Sequence, residues 1–314
     1  MIQSLETYSL IAVYSAMVVY TVAFIAFTFD LARRGAATTE NPYLGASQAA
    51  SVGGGTTALL EKAPAAVRSR SLRVAMAVTA VGWVLHVAAV LLRGFAAGRV
   101  PWANMFEFSL TASAIIVGVF LFVQFWQDLR FLGAFIVGFS LITLGVGTTN
   151  FYVAVVPLAM SLQSAWLVIH VFVAVLGTSF FALGAGLSIM QLLQARREAG
   201  RGGPKFLATL PPAEKLENLA YRVILIGFVF WTFTLIAGAI WAERAWGRYW
   251  GWDTKEVWTF IIWTVFAGYI HARATRGWRG SRSAWLAIIG FSAVIFNFTI
   301  VNLFFKGLHA YSGL

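Results

Sequence analysis

The sequence predicts an all-α polytopic membrane protein of about eight transmembrane helices, and three observations lead to this prediction. Hydrophobic residues make up 60% of the 314 residues and charged residues only 11%, which is more apolar surface than one water-soluble core can hide. The apolar residues are collected in long runs, and about 20 residues at 1.5 Å per residue cross the hydrocarbon core of a bilayer as a helix. Most charged residues fall between these runs.

Eight apolar runs are long enough to cross a bilayer. They cover residues 8–28, 73–93, 108–126, 131–149, 165–194, 222–242, 256–273 and 284–304. The residues before the first run include Glu6 and lack a basic region. We therefore expect the first run to be a retained helix rather than a cleaved signal.

The basic residues sort by connection and predict the orientation. Of the 23 Lys and Arg, 17 lie in one set of alternate connections and 6 in the other. The positive-inside rule places the larger group in the cytoplasm, with both termini and the connection after residue 242 outside. The net charge of +11 is thus explained by topology, and no nucleic-acid partner is needed to account for it.

The chain divides into a first transmembrane helix (1–29), a flexible cytoplasmic tether (30–72) and one membrane domain (73–314). The tether is rich in Ala, Gly, Ser and Thr, contains three successive glycines at 53–55, and lacks apolar periodicity. Because the chain contains no cysteine, it supplies no disulfide, no iron–sulfur ligand and no thiol nucleophile.

The Trp-rich segment, residues 246–258, is the most unusual stretch. It holds Trp246, Trp250, Trp252 and Trp258 in thirteen residues, interleaved with glycines and charged residues. Membrane proteins also use tryptophans as interfacial anchors, but such anchors spread over many helix ends. The crowding in one connection favours an external surface for a large, flat, partly apolar ligand.

Two acid-containing stretches predict helix caps. Asp253 followed three residues later by Glu256 has the form of a capping box at the start of the seventh run. Asn104 with Glu107 has the same spacing at the start of the third run, in the segment 101–108. We interpret these groups as caps in preference to catalytic residues.

His170 and His309 are predicted to lie at the external boundary, at the level of the Trp-rich segment but on different helices. Neutral imidazole is a good iron ligand, and two imidazoles beside an aromatic surface suit axial ligation of a haem iron. The alternative for each is a hydrogen-bonded residue at a helix end. Arg244, Arg248 and Lys255 could pair with haem propionates, or could be ordinary loop charges.

His86 and His271 are predicted to lie inside spans, where an ionisable side chain is costly and therefore a functional candidate. They could bind a second haem, or the same haem at an earlier stage. The alternative is a helix-packing hydrogen bond for each. Residue counting places His86 past the middle of its run toward the outside and His271 near the inner end. For His86 and His271 to lie at one depth, the second helix would have to be shifted along the membrane normal, with its end extended to about Gly98.

Taken together, these residues resemble the CcsA/ResC family of cytochrome c maturation, called CcsB in some bacteria, from about residue 74 to the end. The Trp-rich segment is similar to the family's WWD signature, with Thr254 where a proline is common. Residues 166–170 and 307–309 are similar to its two external histidine motifs. Residues 85–86 and 269–271 are similar to its two membrane histidine motifs.

The resemblance implies the haem-handling subunit of a cytochrome c synthase in the plasma (inner) membrane. Haem b would be received through His86 and His271, held outside with His170 and His309 as axial ligands, and attached through thioethers to the Cys-x-x-Cys-His motif of apocytochrome c. The implied haem-contacting residues of the Trp-rich segment are Trp246, Trp250, Trp252, Asp253 and Trp258. The implied partners are apocytochrome c, a ResB/Ccs1-type membrane subunit and a thioredoxin-like thiol reductant protein, within membrane lipid.

Two other functions stay open on the sequence: a haem exporter without ligation activity, and a di-haem membrane electron carrier. No catalytic residue is assigned, and whether the chain itself is the enzyme is left open. The sequence shows no nucleophile–base pair, phosphate-binding glycine loop or metal-spaced histidine pair on one helix. This argues against hydrolase or phosphoryl-transfer chemistry.

Overall fold

The computed structural model describes residues 2–40, 70–275, 277–305 and 307–309, and within these ranges the chain folds into helices and their connections. Eight long helices follow one another in this part of the chain. They are α1 (Ile2–Glu40), α2 (Arg70–Ala97), α3 (Met105–Val123), α4 (Gly133–Asn150), α5 (Ala165–Glu198), α6 (Ala213–Trp246), α7 (Thr254–Thr275) and α8 (Ser281–Phe296). A π-helical turn (Asn297–Val301) and a last helical turn (Asn302–Phe304) extend α8.

In the described ranges, seven helices are long and apolar enough to cross a membrane, which confirms a polytopic all-α protein with one such helix fewer than predicted. The difference is α7. Its first turn contains Lys255 and Glu256, His271 and Arg273 lie near its end, and threonines lie between them. These polar residues lower its mean hydropathy, although it has the length of a span.

The boundaries of the first two helices differ from the prediction. α1 continues to Glu40 and does not end near residue 29. An ion pair within the helix, Arg34 Nε to Asp30 Oδ2 at 2.7 Å, supports the extension. Ser71 donates to Asp30 Oδ1 at 2.8 Å and joins the extension to the start of α2. The remainder of the predicted tether, 41–69, lies outside the described residues.

The helices pack as two groups. The core of the first lies mainly among α1 to α4 and includes buried Tyr20, Phe27 and Phe120. The core of the second lies among α5 to α8, where Phe181 stacks on Phe266 with ring centroids 3.6 Å apart. Small residues let α5 and α6 approach closely: a Cβ on Gly177 would lie 3.2 Å from the carbonyl oxygen of Gly227.

Buried ion pairs fix the helix ends on both sides. On the side of the Trp-rich segment, Glu107 accepts from Arg93 Nε at 3.1 Å and from Arg99 Nη1 at 2.6 Å. On the other side, Arg273 Nη1 donates to Glu217 Oε1 at 2.5 Å. Arg93 also donates to Glu6 near the start of α1, so this start lies on the same side as the Trp-rich segment.

Candidate functional site

A cavity of about 470 Å³ lies between the two helix groups, beside the Trp-rich segment. Its wall is mainly apolar and is formed by α3 to α8 together with the connection between α6 and α7. Both His170 and His309 line it, as do Trp241, Trp250 and Lys255. The structure therefore brings the two predicted external histidines to one cavity.

His170 lies in the second turn of α5 and is held against α6. Its Nδ1 lies 3.0 Å from the carbonyl oxygen of Thr234, and its ring stacks on Trp241 with centroids 5.8 Å apart. A Cβ on Gly238 would lie 2.7 Å from His170 Cε1, so the close contact depends on glycine at that position. Nε2 has no hydrogen-bond partner among the described residues, and it remains available to a ligand.

His309 follows α8 and is oriented by the start of α7. Its Nδ1 lies 3.0 Å from Asp253 Oδ1. Its ring is in edge contact with Trp241 and Trp246, at centroid distances of 5.3 and 4.8 Å. In the described part of the chain its Nε2 also lacks a partner. The two histidines thus share one arrangement, Nδ1 engaged by oxygen and Nε2 available.

Asp253 is the cap that the sequence predicts and is also the partner of His309. Its Oδ1 accepts from the Lys255 amide at 2.9 Å, and Glu256 Oε2 accepts from the Asp253 amide at 3.0 Å, which completes the capping box. Its Oδ2 accepts from the Leu308 amide at 2.8 Å. Burial raises the pKa of Asp253, but the hydrogen bonds from His309 and the Lys255 and Leu308 amides outweigh it and lower the pKa to about 2. The carboxylate is therefore an anion at neutral pH.

The cap predicted at α3 is also present. Asn104 Oδ1 accepts from the Glu107 amide at 2.9 Å, as an N-cap residue does. Glu107 accepts from the Ala103 amide at 3.0 Å as well as from the two arginines. Its full burial and these contacts make it a structural anchor for the start of α3.

Trp241 contacts both histidines, although no motif in the sequence identifies it. It is only 2% exposed and contacts both imidazole rings. Its Nε1 donates to the carbonyl oxygen of Ser161 at 2.9 Å, which fixes the indole plane. The signal in the sequence is the spacing of Thr234, Gly238 and Trp241, which places them on one face of α6.

The four tryptophans of the Trp-rich segment occupy different environments. Trp250 lines the cavity and makes an edge contact with Trp252 at 5.8 Å. Trp246 packs on His309, and Trp258 packs on Phe296 at 4.4 Å. Trp252 is 77% exposed and has a positive φ of 59°, an uncommon conformation for a bulky residue. Of the predicted surface, Trp250 forms part of the cavity wall, whereas Trp246 and Trp258 pack against neighbouring aromatic rings.

His86 and His271 are not brought together. His86 is fully buried near the middle of α2, with Nδ1 3.3 Å from the hydroxyl of Tyr20 and Nε2 2.9 Å from the carbonyl oxygen of Leu110. His271 is exposed about one turn before the end of α7. α2 extends to Ala97, close to the extension to Gly98 that would be needed for His86 and His271 to lie at one depth. The two side chains nevertheless lie in different helix groups.

The donor set at the cavity fits a haem. Among the described residues, no three His, Asp or Glu side chains are grouped to hold a metal ion by themselves. A haem brings four nitrogen ligands in its ring and needs only axial ligands from the protein. Two imidazoles with Nδ1 held by oxygen and Nε2 available are of the kind that serve as axial ligands.

Comparisons with known proteins identify the family of the chain. Residues 71–309 match the model of the family described as Cytochrome C assembly protein. The cytochrome c biogenesis protein CcsA of Guillardia theta is 35% identical over 240 residues, covering 71% of this chain and 80% of the relative. CcsA of Chlamydomonas reinhardtii is 34% identical over 265 residues, covering 82% of this chain and 73% of the relative.

A solved structure, Cytochrome c Heme Lyase CcmF, shares the fold with a TM-score of 0.62 at 16% identity over 98% of this chain. The present chain spans about half of that protein, 48% of its length. The family match covers more than two thirds of the sequence and all four histidines. The chain therefore belongs to the CcsA family of cytochrome c assembly proteins and has a role in cytochrome c maturation.

Proposed function

We propose that the chain binds haem b in the cavity, with Nε2 of His170 and of His309 as axial ligands, and presents it for covalent attachment to apocytochrome c. The observation that carries the proposal is the shared arrangement of the two histidines. Each lines the same cavity and has Nδ1 engaged by an oxygen atom of another helix or helix start. An oxygen partner on Nδ1 fixes the tautomer and leaves Nε2 as a metal ligand.

The surroundings of the histidines support the same substrate. The cavity volume lies within the usual range for sites that bind small molecules and cofactors. Trp241 and Trp250 supply flat apolar walls. Asp253 holds the proton on Nδ1 of His309 and makes that imidazole a stronger donor to iron.

The attachment reaction needs positioning more than side-chain chemistry. A cysteine thiol of apocytochrome c adds across a vinyl group of haem: a sulfur–carbon bond forms, the carbon–carbon double bond becomes single, and the thiol proton passes to the other carbon. No net oxidation occurs. The chain holds the substrate ring in place. Because it contains no cysteine, no thiol of its own competes for the vinyl groups. The histidine of the Cys-x-x-Cys-His motif then replaces one axial imidazole.

The proposal includes the wider assembly. We place the cavity on the extracytoplasmic face of the plasma membrane, supported by the uneven distribution of basic residues. The partners are a ResB/Ccs1-type membrane subunit, apocytochrome c and a thioredoxin-like protein that keeps the apocytochrome cysteines reduced. Haem would reach the cavity by way of His86 and His271, and this requires His86 to release the hydrogen bonds to Tyr20 and Leu110.

Optical spectra of the purified protein test the proposal. The His170→Ala and His309→Ala variants are each expected to lose the bis-imidazole haem spectrum, and added imidazole is expected to restore it because it can fill the vacated position. Cytochrome c assembly should fall in parallel in cells that depend on the variant. A double variant that keeps the spectrum and supports assembly would overturn the proposal. Loss of assembly with the spectrum intact in a Trp250 variant would instead separate haem binding from attachment.

A further inference from the structure

We propose that Lys255 and Asn302 form a carboxylate-binding subsite in the cavity wall that takes the propionate edge of the haem. This inference rests on the proposed function and specifies how the same site orients its substrate. Three cations near the Trp-rich segment are candidates by sequence, Arg244, Arg248 and Lys255, and the structure separates them.

Lys255 is the cation that faces the cavity. It is the second residue of α7, is partly buried, and lines the cavity together with His170 and His309. Its Nζ donates to Asn302 Oδ1 and forms no ion pair within the described ranges. The carboxylate of Asp253 borders the same small void and partly compensates the ammonium group, but its oxygen atoms are engaged by His309 and by the Lys255 and Leu308 amides. The ammonium group therefore has an amide oxygen as its direct partner beside a largely apolar cavity. A carboxylate on the ligand would compensate it.

Asn302 can supply the second donor. Its Nδ2 lies 3.0 Å from the sulfur of Met105, which is a weak acceptor, so this N–H group can turn to a carboxylate without losing a strong bond. The π-helical turn directly before it, Asn297–Val301, changes the helical register, and such turns occur often at functional sites. Asn297, in this turn, also lines the cavity, and its Oδ1 has no partner among the described residues. Polar groups therefore gather on this one wall.

The two arginines are placed differently. Arg244 is 64% exposed and lies 3.5 Å from its neighbour Glu243. Arg248 is exposed and donates to the carbonyl oxygen of Gly251 at 3.2 Å within its own loop. Neither side chain lines the cavity. The geometry therefore selects Lys255 from the three.

The subsite also adjoins the axial ligand. A small void of about 10 Å³ is bordered by Lys255, Asn302, Asp253 and His309. This is about the space of one water molecule. Because both propionates of haem lie on one edge and the vinyl groups lie away from it, a carboxylate held here limits rotation of the ring about the iron–imidazole axis. The subsite would therefore decide where the vinyl groups point.

Binding of haem and of haem dimethyl ester to the full-length protein, depleted of haem and kept in detergent, tests the inference. The two ligands share ring and iron and differ in the carboxylate charges. Lys255→Gln is expected to weaken haem binding by roughly ten- to hundredfold, the loss of a charge-assisted hydrogen bond, and to leave the affinity for the ester unchanged. Lys255→Arg should recover most of the affinity, and Arg248→Gln serves as the matched control with no change expected.

The outcomes are separable. If the wild-type protein binds the acid and the ester equally, or if Lys255→Gln weakens both to the same extent, the carboxylate subsite is refuted while haem binding stands. If Arg248→Gln reproduces the selective loss, the subsite lies at the loop and the assignment to Lys255 is wrong. If the wild-type protein binds neither ligand, the proposed function itself fails. Unchanged binding of the ester by Lys255→Gln also shows that the variant is folded.

Discussion

Asp253 Oδ1 and His309 Nδ1 lie 3.0 Å apart, although 56 positions separate the two residues in the sequence. The same carboxylate caps α7 through the Lys255 amide and accepts from the Leu308 amide. One residue therefore sets both the start of a helix and the orientation of a candidate iron ligand. Removal of the Asp253 carboxylate is therefore expected to lower haem affinity more than the loss of a helix cap alone would.

Asp253→Ala is expected to lower haem affinity by roughly tenfold or more, as loss of an outer partner does at metal-binding histidines. It should also cost about 1 kcal/mol of stability through the lost cap. Haem content per protein and thermal unfolding measure the two effects. Glu256→Gln is the matched control, because glutamine can still accept from the Gly251 and Asp253 amides. Equal haem loss in both variants would contradict the role of Asp253 at His309.

Gly238→Ala is expected to displace His170, because the new Cβ would lie 2.7 Å from its Cε1. The expected result is a weakened bis-imidazole spectrum in a protein that remains folded, since alanine favours the helix more than glycine. Gly268→Ala on α7 is the control, with no described atom within 4 Å of its added Cβ. Spectra of the two purified variants, compared at equal protein concentration, decide the matter. An unchanged spectrum in Gly238→Ala would show that His170 does not need this position.

Trp241→Phe should reduce haem occupancy, because the smaller ring loses the bond to the Ser161 carbonyl oxygen and leaves space beside the two histidines that Trp241 contacts. We expect a stability cost of about 1–3 kcal/mol from the lost bond and the poorer packing. Trp285→Phe, at a position that is 56% exposed, is the control with little change expected. Haem occupancy and unfolding temperature should fall together in the first variant only.

Glu107→Gln is expected to destabilise the protein by about 3–5 kcal/mol, because it leaves two arginines without their buried counter-ion. Asp128→Asn removes a carboxylate from an exposed pair with Arg130 and should cost no more than about 1 kcal/mol. Thermal unfolding in detergent gives the comparison. Since Glu107 anchors α3 outside the cavity wall, haem bound per folded molecule should stay near the wild-type value. If Glu107→Gln lost haem while the protein stayed folded, Glu107 would have a direct role in haem binding.

Much of the architecture could be predicted because its signals are local. Apolar runs identify spans, and the spacing of Asp253 with Glu256 and of Asn104 with Glu107 identifies helix starts that the structure confirms. Hydropathy does not predict the end of α1, because the residues after Asp30 are mildly polar and compatible with a helix. The ion pair of Asp30 with Arg34 and its hydrogen bond with Ser71 leave no hydropathy signal. α7 carries polar residues that lower its hydropathy below that of the other spans.

The sequence by itself determined that this is a polytopic helical protein with scarce histidines near a Trp-rich connection, since composition, periodicity and capping are properties of neighbouring residues. Only the tertiary structure decided which groups meet. It placed Trp241 in contact with both His170 and His309, and it joined Asp253 to His309. It also placed Lys255, but not Arg244 or Arg248, at the cavity wall. These relations depend on how helices distant in the chain pack and cross, and residue order does not encode them locally.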